Sequence, residues 1–298
     1  MIYIYAQTHP YAFGNLKYFI DHAVQDNDGA DYYFILQNVN NKTVDENELP
    51  RLPRRNARYI QHENLCFDFG TVGWFFRTHT VGNPWINQTN ITLSEKKINI
   101  THYKYFILIN SSVRGPFFPP YYLKFVADYK EEFDKSFYWY FVFTKRLTHK
   151  IKLTGCTISC IPIPHVQSYV FVTDFIGLTI LLKPDGVESS IFRCHKVQIH
   201  ASFDGEVPSS TRILEAGYMI DSLLTKYQTL NFNEQHNRLC NQHKNPYLDD
   251  NLDGVSLEPY EVVFVKYKDL PYLQCPRKRG ELYERWMEDT NKSNRSVW

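Results

Sequence analysis

The chain has 298 residues, 43% of them hydrophobic and 22% charged, which is enough apolar material to bury one large core. A formal net charge of +1 gives no overall field toward nucleic acid or an anionic membrane, so those partners are excluded as bulk electrostatic targets. Aromatic residues reach 16%, with 22 Tyr and 21 Phe, and are expected mainly in strands and core.

In chain order, Ile2–Ala6 is apolar and β-branched and reads as a first strand. Asn15–Val24 has helical spacing at Leu16, Phe19, Ile20 and Ala23. Tyr32–Gln37 is a second strand and Arg58–Gln61 a short third, followed by a helix after Asp68 carrying Val72, Phe75 and Phe76. Lys104–Ile109 is a strong fourth strand that ends on Asn110. Phe117–Tyr122 is a Pro-rich loop leading to a helical Leu123–Phe133. Lys150–Cys160 alternates as a strand, and Gln167–Leu182 reads as strand then helix. Ser209–Tyr227 is the best amphipathic helix, Asn231–Gly254 a long polar loop, and Tyr260–Tyr267 a returning strand. Strand and helix in alternation predict an α/β fold with a mostly parallel sheet flanked by helices. One domain is expected over residues 1–290, with a polar tail from 291 to 298.

Six cysteines stand at 66, 156, 160, 194, 240 and 275 without a C-x-x-C pair, so zinc is not expected and reduced thiols are. No run approaches 18 apolar residues, and the first residues lack the basic flank of a signal peptide. A cytoplasmic or membrane-peripheral location is therefore expected. The N-x-Ser/Thr sequons at Asn41, Asn87, Asn90, Asn99, Asn291 and Asn294 are then expected to be unused. The basic cluster Arg51, Arg54, Arg55 and Arg58 reads as a solvated loop. His195–His200 (HKVQIH), read as a strand, places its two histidines on opposite faces.

Ligands of open α/β sheets sit beyond the carboxyl ends of the strands. The polar residues at those ends form a set: Gln7, Thr8 and His9 after the first strand, Asn38 after the second, Asn64 and Asp68 after the third. Asn110, Ser111, Ser112 and Arg114 follow the fourth. Four such clusters in succession predict a lined crevice rather than isolated turns.

Five blocks carry a resemblance. Asn64–Gly70 (NLCFDFG) resembles the N-x-G-x-D-x-G box of a glycosyltransferase group related to the rhamnan-synthesis proteins. FILINSSVRGPF from Phe106 is similar to that group's strand ending in N-D/S-S-v-x-G-P. Pro164–Asp174 (PHVQSYVFVTD) resembles its H-x-Q-S box, Glu206–Tyr218 (EVPSSTRILEAGY) its E-x-x-x-S helix entry, and Glu258–Lys266 (EPYEVVFVK) its terminal strand. The resemblance implies a GT-A, Rossmann-like domain that binds a nucleotide-sugar donor and transfers the sugar to a hydroxyl acceptor on a glycan, with inversion.

Strand-end placement and the resemblance together give the expected donor contacts: Gln7, His9 and Asn38 from their place at strand ends, and Asn64, Asp68, Asn110, Ser111, Ser112 and Arg114 from both. Acceptor contacts are implied at His165, Gln167 and Ser168. Glu206 takes the place of the general base, with Asp174 and Asp204 as rivals; an ordinary helix-start acid is the plainer account of it. Most GT-A enzymes hold Mn²⁺ or Mg²⁺ on a D-x-D at the end of the fourth strand, where this chain reads Asn110-Ser111-Ser112. Either Asp68 holds the metal, or Arg114 supplies the charge. Against these stand plainer roles: Asp68 as a helix cap, Arg114 as a tie for its Gly-Pro loop and Lys266 as a solvated strand end. No G-x-S-x-G, P-loop or H-E-x-x-H motif competes. The missing D-x-D leaves a second function open, a nucleotide- or carbohydrate-binding module without catalysis. A partner-binding protein is the third.

Overall fold

The computed structural model describes residues 1–38, 42–53, 55–85, 97–122, 138–228 and 230–295. The expected helix Leu123–Phe133 lies outside them, as do Arg54 and the sequons at Asn41, Asn87 and Asn90.

A seven-stranded sheet forms the centre. Its strands are β1 (Ile2–Ala6), β2 (Tyr32–Asn38), β3 (Ala57–Glu63) and β4 (Tyr105–Asn110), then β6 (Ile151–Gly155), β9 (Val170–Asp174) and β10 (Met219–Ser222). Four of the two-residue strands are numbered with them: β5 (Val113–Arg114), β7 (Ile158–Ser159), β8 (His165–Val166) and β11 (Val265–Lys266). The spatial order is β10-β6-β9-β4-β1-β2-β3. Only β9 runs antiparallel to its neighbours, with Val170 opposite Ile109 and Phe171 opposite Gly155. The sheet is therefore mostly parallel, as the alternation of elements predicts.

Both faces are covered, which is why β1, β2 and β4 are near-continuous apolar runs. Tyr33 and Phe34 point to opposite faces of β2. Phe34 meets Phe19 of α1 (Ala12–Ala23) at 6.2 Å between ring centroids, and Tyr33 meets Phe75 of α2 (Phe67–His79) at 5.1 Å. One apolar cluster runs from Ile2 to Tyr267. Further helices are α3 (Phe175–Leu182), α4 (Val207–Glu215) and α5 (Gln274–Arg295), so the helix continues past the expected start of a tail at 291.

Four local expectations change. The amphipathic stretch 209–227 does not form one helix. It starts earlier, at Val207, and stops at Gly217, whose φ of +84° is a left-handed helix terminus, and Met219–Ser222 becomes the sheet-edge strand β10. Tyr260–Tyr267 is not a strand throughout: Pro259–Val262 is one helical turn and only Val265–Lys266 pairs, with β5. Glu261, within that expected strand, accepts the Thr225 amide at 2.8 Å. The HKVQIH segment turns helical at Gln198 and runs into a π turn, Ala201–Glu206, which brings both histidines to one carboxylate. His200 Nδ1 lies 3.3 Å and His195 Nδ1 3.9 Å from Asp204.

The cysteines give the largest correction. Cys66–Cys194 and Cys160–Cys240 are disulfides with Cα separations of 4.6 and 5.5 Å; Cys156 is a buried thiol and Cys275 an exposed one. Their partners lie 128 and 80 residues apart, so local spacing carried no sign of the pairing.

Candidate functional site at the carboxyl edge of the sheet

From β1 the chain moves to β2 and β3 on one side, while β4, also beside β1 with Ile4 opposite Asn110, leads to the other side. The strand order reverses between β1 and β4, and that is where an α/β sheet opens a crevice. Asn110 ends the buried run of β4 at this point, so its amide must find partners. Its Nδ2 donates to Asp68 Oδ2 at 2.7 Å, and its Oδ1 accepts from the Ser112 amide at 3.1 Å and from the Ser112 hydroxyl. Lys266 Nζ donates to the same hydroxyl at 2.9 Å. A polar chain thus runs Lys266–Ser112–Asn110–Asp68.

Asp68 lies in the first turn of α2, but it does not cap that helix; its carboxylate turns to Asn110 instead. Burial pushes it up from the ordinary carboxylate range, opposed by the Asn110 hydrogen bond and by Lys266 and Lys268, and reinforced by Glu206. Burial and the neighbouring Lys268 lower Lys266 to about 8, with Glu206 and Asp68 pulling it back up. Its ammonium stands 5.0 Å from the Tyr169 ring centroid and 5.8 Å from that of Tyr247.

Glu206 closes the π turn at the entry to α4. One oxygen accepts the Ser168 amide at 2.8 Å, and the other makes no hydrogen bond to the described residues. Its charge is felt at Asp68, Lys266, Tyr169 and Tyr247, so it lies near all four. His9, beyond β1, has both ring nitrogens buried without a hydrogen bond of good geometry, although the Ser111 main chain lies beside the ring. Burial first, and Lys268 and Lys266 after it, hold its pKa down to about 4.

That depression fixes a pH dependence. Between about pH 6.5 and 4 the unfolded chain binds a proton at His9 that the folded chain does not. Stability from this residue is therefore fully present above pH 6.5 and is lost as the pH falls toward 4. Urea unfolding at pH 7.5, 6 and 5 is expected to show a steeper acid decline for the native chain than for His9→Gln.

The structure brings Asp68, Asn110, Ser112, His9 and Glu206 together, with Asn38 at the end of β2 carrying a buried, unpartnered Oδ1. Other expected site residues have different work. Asp174 sits at the opposite edge of the sheet, paired with Tyr105 because β9 is antiparallel. There it caps α3 through the Gly177 amide (2.8 Å) and pairs with Lys152 (2.6 Å). Arg114 is a structural tie: it donates to Asn15 Oδ1 at 3.0 Å and to both Glu284 oxygens at 3.0 Å, and lies 4.0 Å from the Tyr267 ring centroid. The Ser111 hydroxyl is held by the Ala6 main chain at 3.2 Å. Gln7 is exposed and Asn64 half-buried in the bend before α2.

Of the expected acceptor residues, His165 is buried with Nδ1 donating to the Ile163 carbonyl (2.8 Å), and Gln167 is buried between Thr157 (2.6 Å) and Asn245 (2.9 Å). Only Ser168 touches the cluster, through its main chain. Sequence reasoning left Lys266 as a solvated end and missed Lys268, Tyr169 and Tyr247. Lys268 had a signal, two positions beyond Lys266 on the same extended segment. Tyr247 lay unmarked in the polar loop.

The expected metal role of Asp68 does not fit this donor set. A hard divalent cation takes several oxygens, carboxylates prominent among them. Here one Asp68 oxygen holds an amide, and the Ser112 hydroxyl carries an ammonium group. Among the described residues no group of three His, Cys, Asp or Glu side chains is placed to hold a metal.

Both disulfides frame this edge. Cys66–Cys194 fixes the loop two residues before Asp68, and Cys160–Cys240 ties the loop after β7 to the polar stretch that supplies Tyr247. Among the described residues no helix is long and apolar enough to cross a membrane. Comparison of the chain with protein-family models, with curated proteins and with solved structures finds no match in any of the three.

Proposed function

We propose that this chain is a glycosyltransferase of GT-A type that moves a sugar from a nucleotide donor to a hydroxyl acceptor. One observation carries the reading: residues of all five resembling blocks, spread from Asn64 to Lys266, meet at the switch point. Asp68 joins Asn110, Ser112 joins Lys266, and the Ser168 amide joins Glu206. The Tyr169 carbonyl, accepting the Asn110 amide at 3.4 Å, links the two halves.

In this reading the free oxygen of Glu206 takes the proton of the acceptor hydroxyl as that oxygen bonds to the anomeric carbon. The bond from that carbon to the donor's diphosphate oxygen breaks, and its electron pair leaves with the nucleoside diphosphate. Attack opposite the leaving group inverts the anomeric centre. Asp68, oriented by Asn110, accepts from donor hydroxyls.

The paired cysteines support assembly in an oxidising compartment, in place of the reduced, cytoplasmic setting expected from sequence. A second reading, a binding module without turnover, draws on the absent D-x-D. Incubation with a panel of uridine, guanosine, cytidine and thymidine diphosphate sugars, read by mass spectrometry, separates the two. Transfer or slow hydrolysis of one donor is expected; binding of a nucleoside diphosphate with no donor consumed favours the module. Neither binding nor turnover removes both readings.

A further inference from the structure

We infer that Lys266, Lys268 and His9 form a metal-independent seat for the diphosphate of the donor, occupying the role that a divalent cation plays elsewhere. The inference rests on the donor chemistry proposed above.

Lys266 and Lys268 alternate along the segment that leaves β11, so they share a face, and Tyr267 between them turns the other way toward Arg114. The Lys268 ammonium disfavours the charge of Lys266, and both act on His9. Neither lysine has a carboxylate oxygen within 4.0 Å among the described residues, since Asp68 is engaged by Asn110 and Glu206 by Ser168. Two like charges left without ion pairs on half-buried side chains are relieved by a multivalent anion. His9 adds an independent observation. Neither of its buried ring nitrogens makes a hydrogen bond of good geometry, with only the Ser111 main chain beside the ring, which costs free energy that a ligand oxygen would relieve. As a neutral imidazole it offers one N–H to a phosphate oxygen.

Lys266 holds the Ser112 hydroxyl, His9 follows β1 beside the Ser111 main chain, and Lys268 acts on both Lys266 and His9, so the three gather at the switch point where a leaving diphosphate would sit. Two fixed ammonium groups stabilise the charge that develops on the leaving oxygen, as a preorganised cation does. A metal in the same place would have to displace Lys266 from Ser112 and would be repelled by both lysines.

Isothermal titration calorimetry on the full chain tests this, with inorganic pyrophosphate and with uridine, guanosine and cytidine diphosphates. Each is run in EDTA and again with MnCl₂. Pyrophosphate and one nucleoside diphosphate are expected to bind in EDTA, with Mn²⁺ changing the affinity less than about threefold. Lys266→Met and Lys268→Met should each weaken binding at least about tenfold, which is the loss of about 1.4 kcal/mol. Lys268 makes no side-chain hydrogen bond to the described residues, so its variant keeps the test valid if Lys266→Met fails to fold.

Binding seen only with Mn²⁺, or unchanged by Lys268→Met, overturns the inference while leaving the glycosyltransferase reading in place. Pyrophosphate binding in EDTA, with no nucleoside diphosphate bound more tightly, supports the cationic seat and counts against a nucleotide donor. Absence of binding under every condition overturns both.

Discussion

Replacing Glu206 with glutamine is expected to lower turnover by about 10²–10⁴-fold, the usual contribution of a positioned general base, while donor affinity and melting temperature stay within error of the native chain. The amide keeps the volume of the side chain and an oxygen to accept the Ser168 amide, so the π turn into α4 is preserved. It cannot take a proton. Steady-state kinetics paired with a direct measurement of donor binding checks the result, because an effect confined to kcat is what loss of a base predicts. Asp204 is the informative control. Its carboxylate faces His195 and His200 rather than the Ser112 chain, so Asp204→Asn is expected to retain turnover. The opposite pattern, with Asp204→Asn inactive and Glu206→Gln active, would reassign the base.

Removing the Cys66–Cys194 disulfide should have the largest effect on stability. A cross-link between residues 128 apart restrains a long loop of the unfolded chain, and its loss is expected to cost about 3 kcal/mol. For a chain of 298 residues that lowers the melting temperature by about 5 °C. The effect reaches the site through close packing. A Cβ added to Gly73 would lie 2.0 Å from the Phe192 carbonyl oxygen, and one on Gly70 would lie 3.1 Å from the Cys194 Cα. Helix α2, which carries Asp68, therefore rests directly on the segment that the disulfide pins. Calorimetry of Cys66→Ala/Cys194→Ala is expected to show the lower melting temperature, together with weaker donor binding. Cys275→Ser, altering an exposed free thiol, should match the native chain. An unchanged melting temperature in the double variant would mean that these cysteines are not paired.

Part of the fold is legible in the sequence. The runs Ile2–Ala6, Tyr32–Gln37 and Phe106–Ile109 are apolar without alternation, and such a run is stable only as a strand covered on both faces. The polar residues that end them mark the carboxyl edge, because a buried strand cannot hold them and a crevice can. Asp68, Asn110, Ser112 and His9 stand out on that ground, and Glu206 through the resemblance.

What local pattern left open had two acceptable answers. Ile213, Ile220 and Leu224 fit a helical stripe, but Ile220 serves β10 once Gly217 ends the helix. The segment Tyr260–Tyr267 is apolar enough for a strand, yet Glu258 caps a helical turn at its start. Asp174 and Arg114 are polar ends like the others, and only strand direction and the distant Glu284 show that they work elsewhere.

The sequence by itself determined which segments are buried strands and which edge of the sheet is polar, since both follow from the solvation of nearby side chains. Tertiary structure alone decided the disulfide partners, the turn of Lys266 and Lys268 onto Ser112 and His9, and the separation of Asp174 from the site. Those outcomes depend on contacts between residues tens to hundreds of positions apart, whose energies no local pattern encodes.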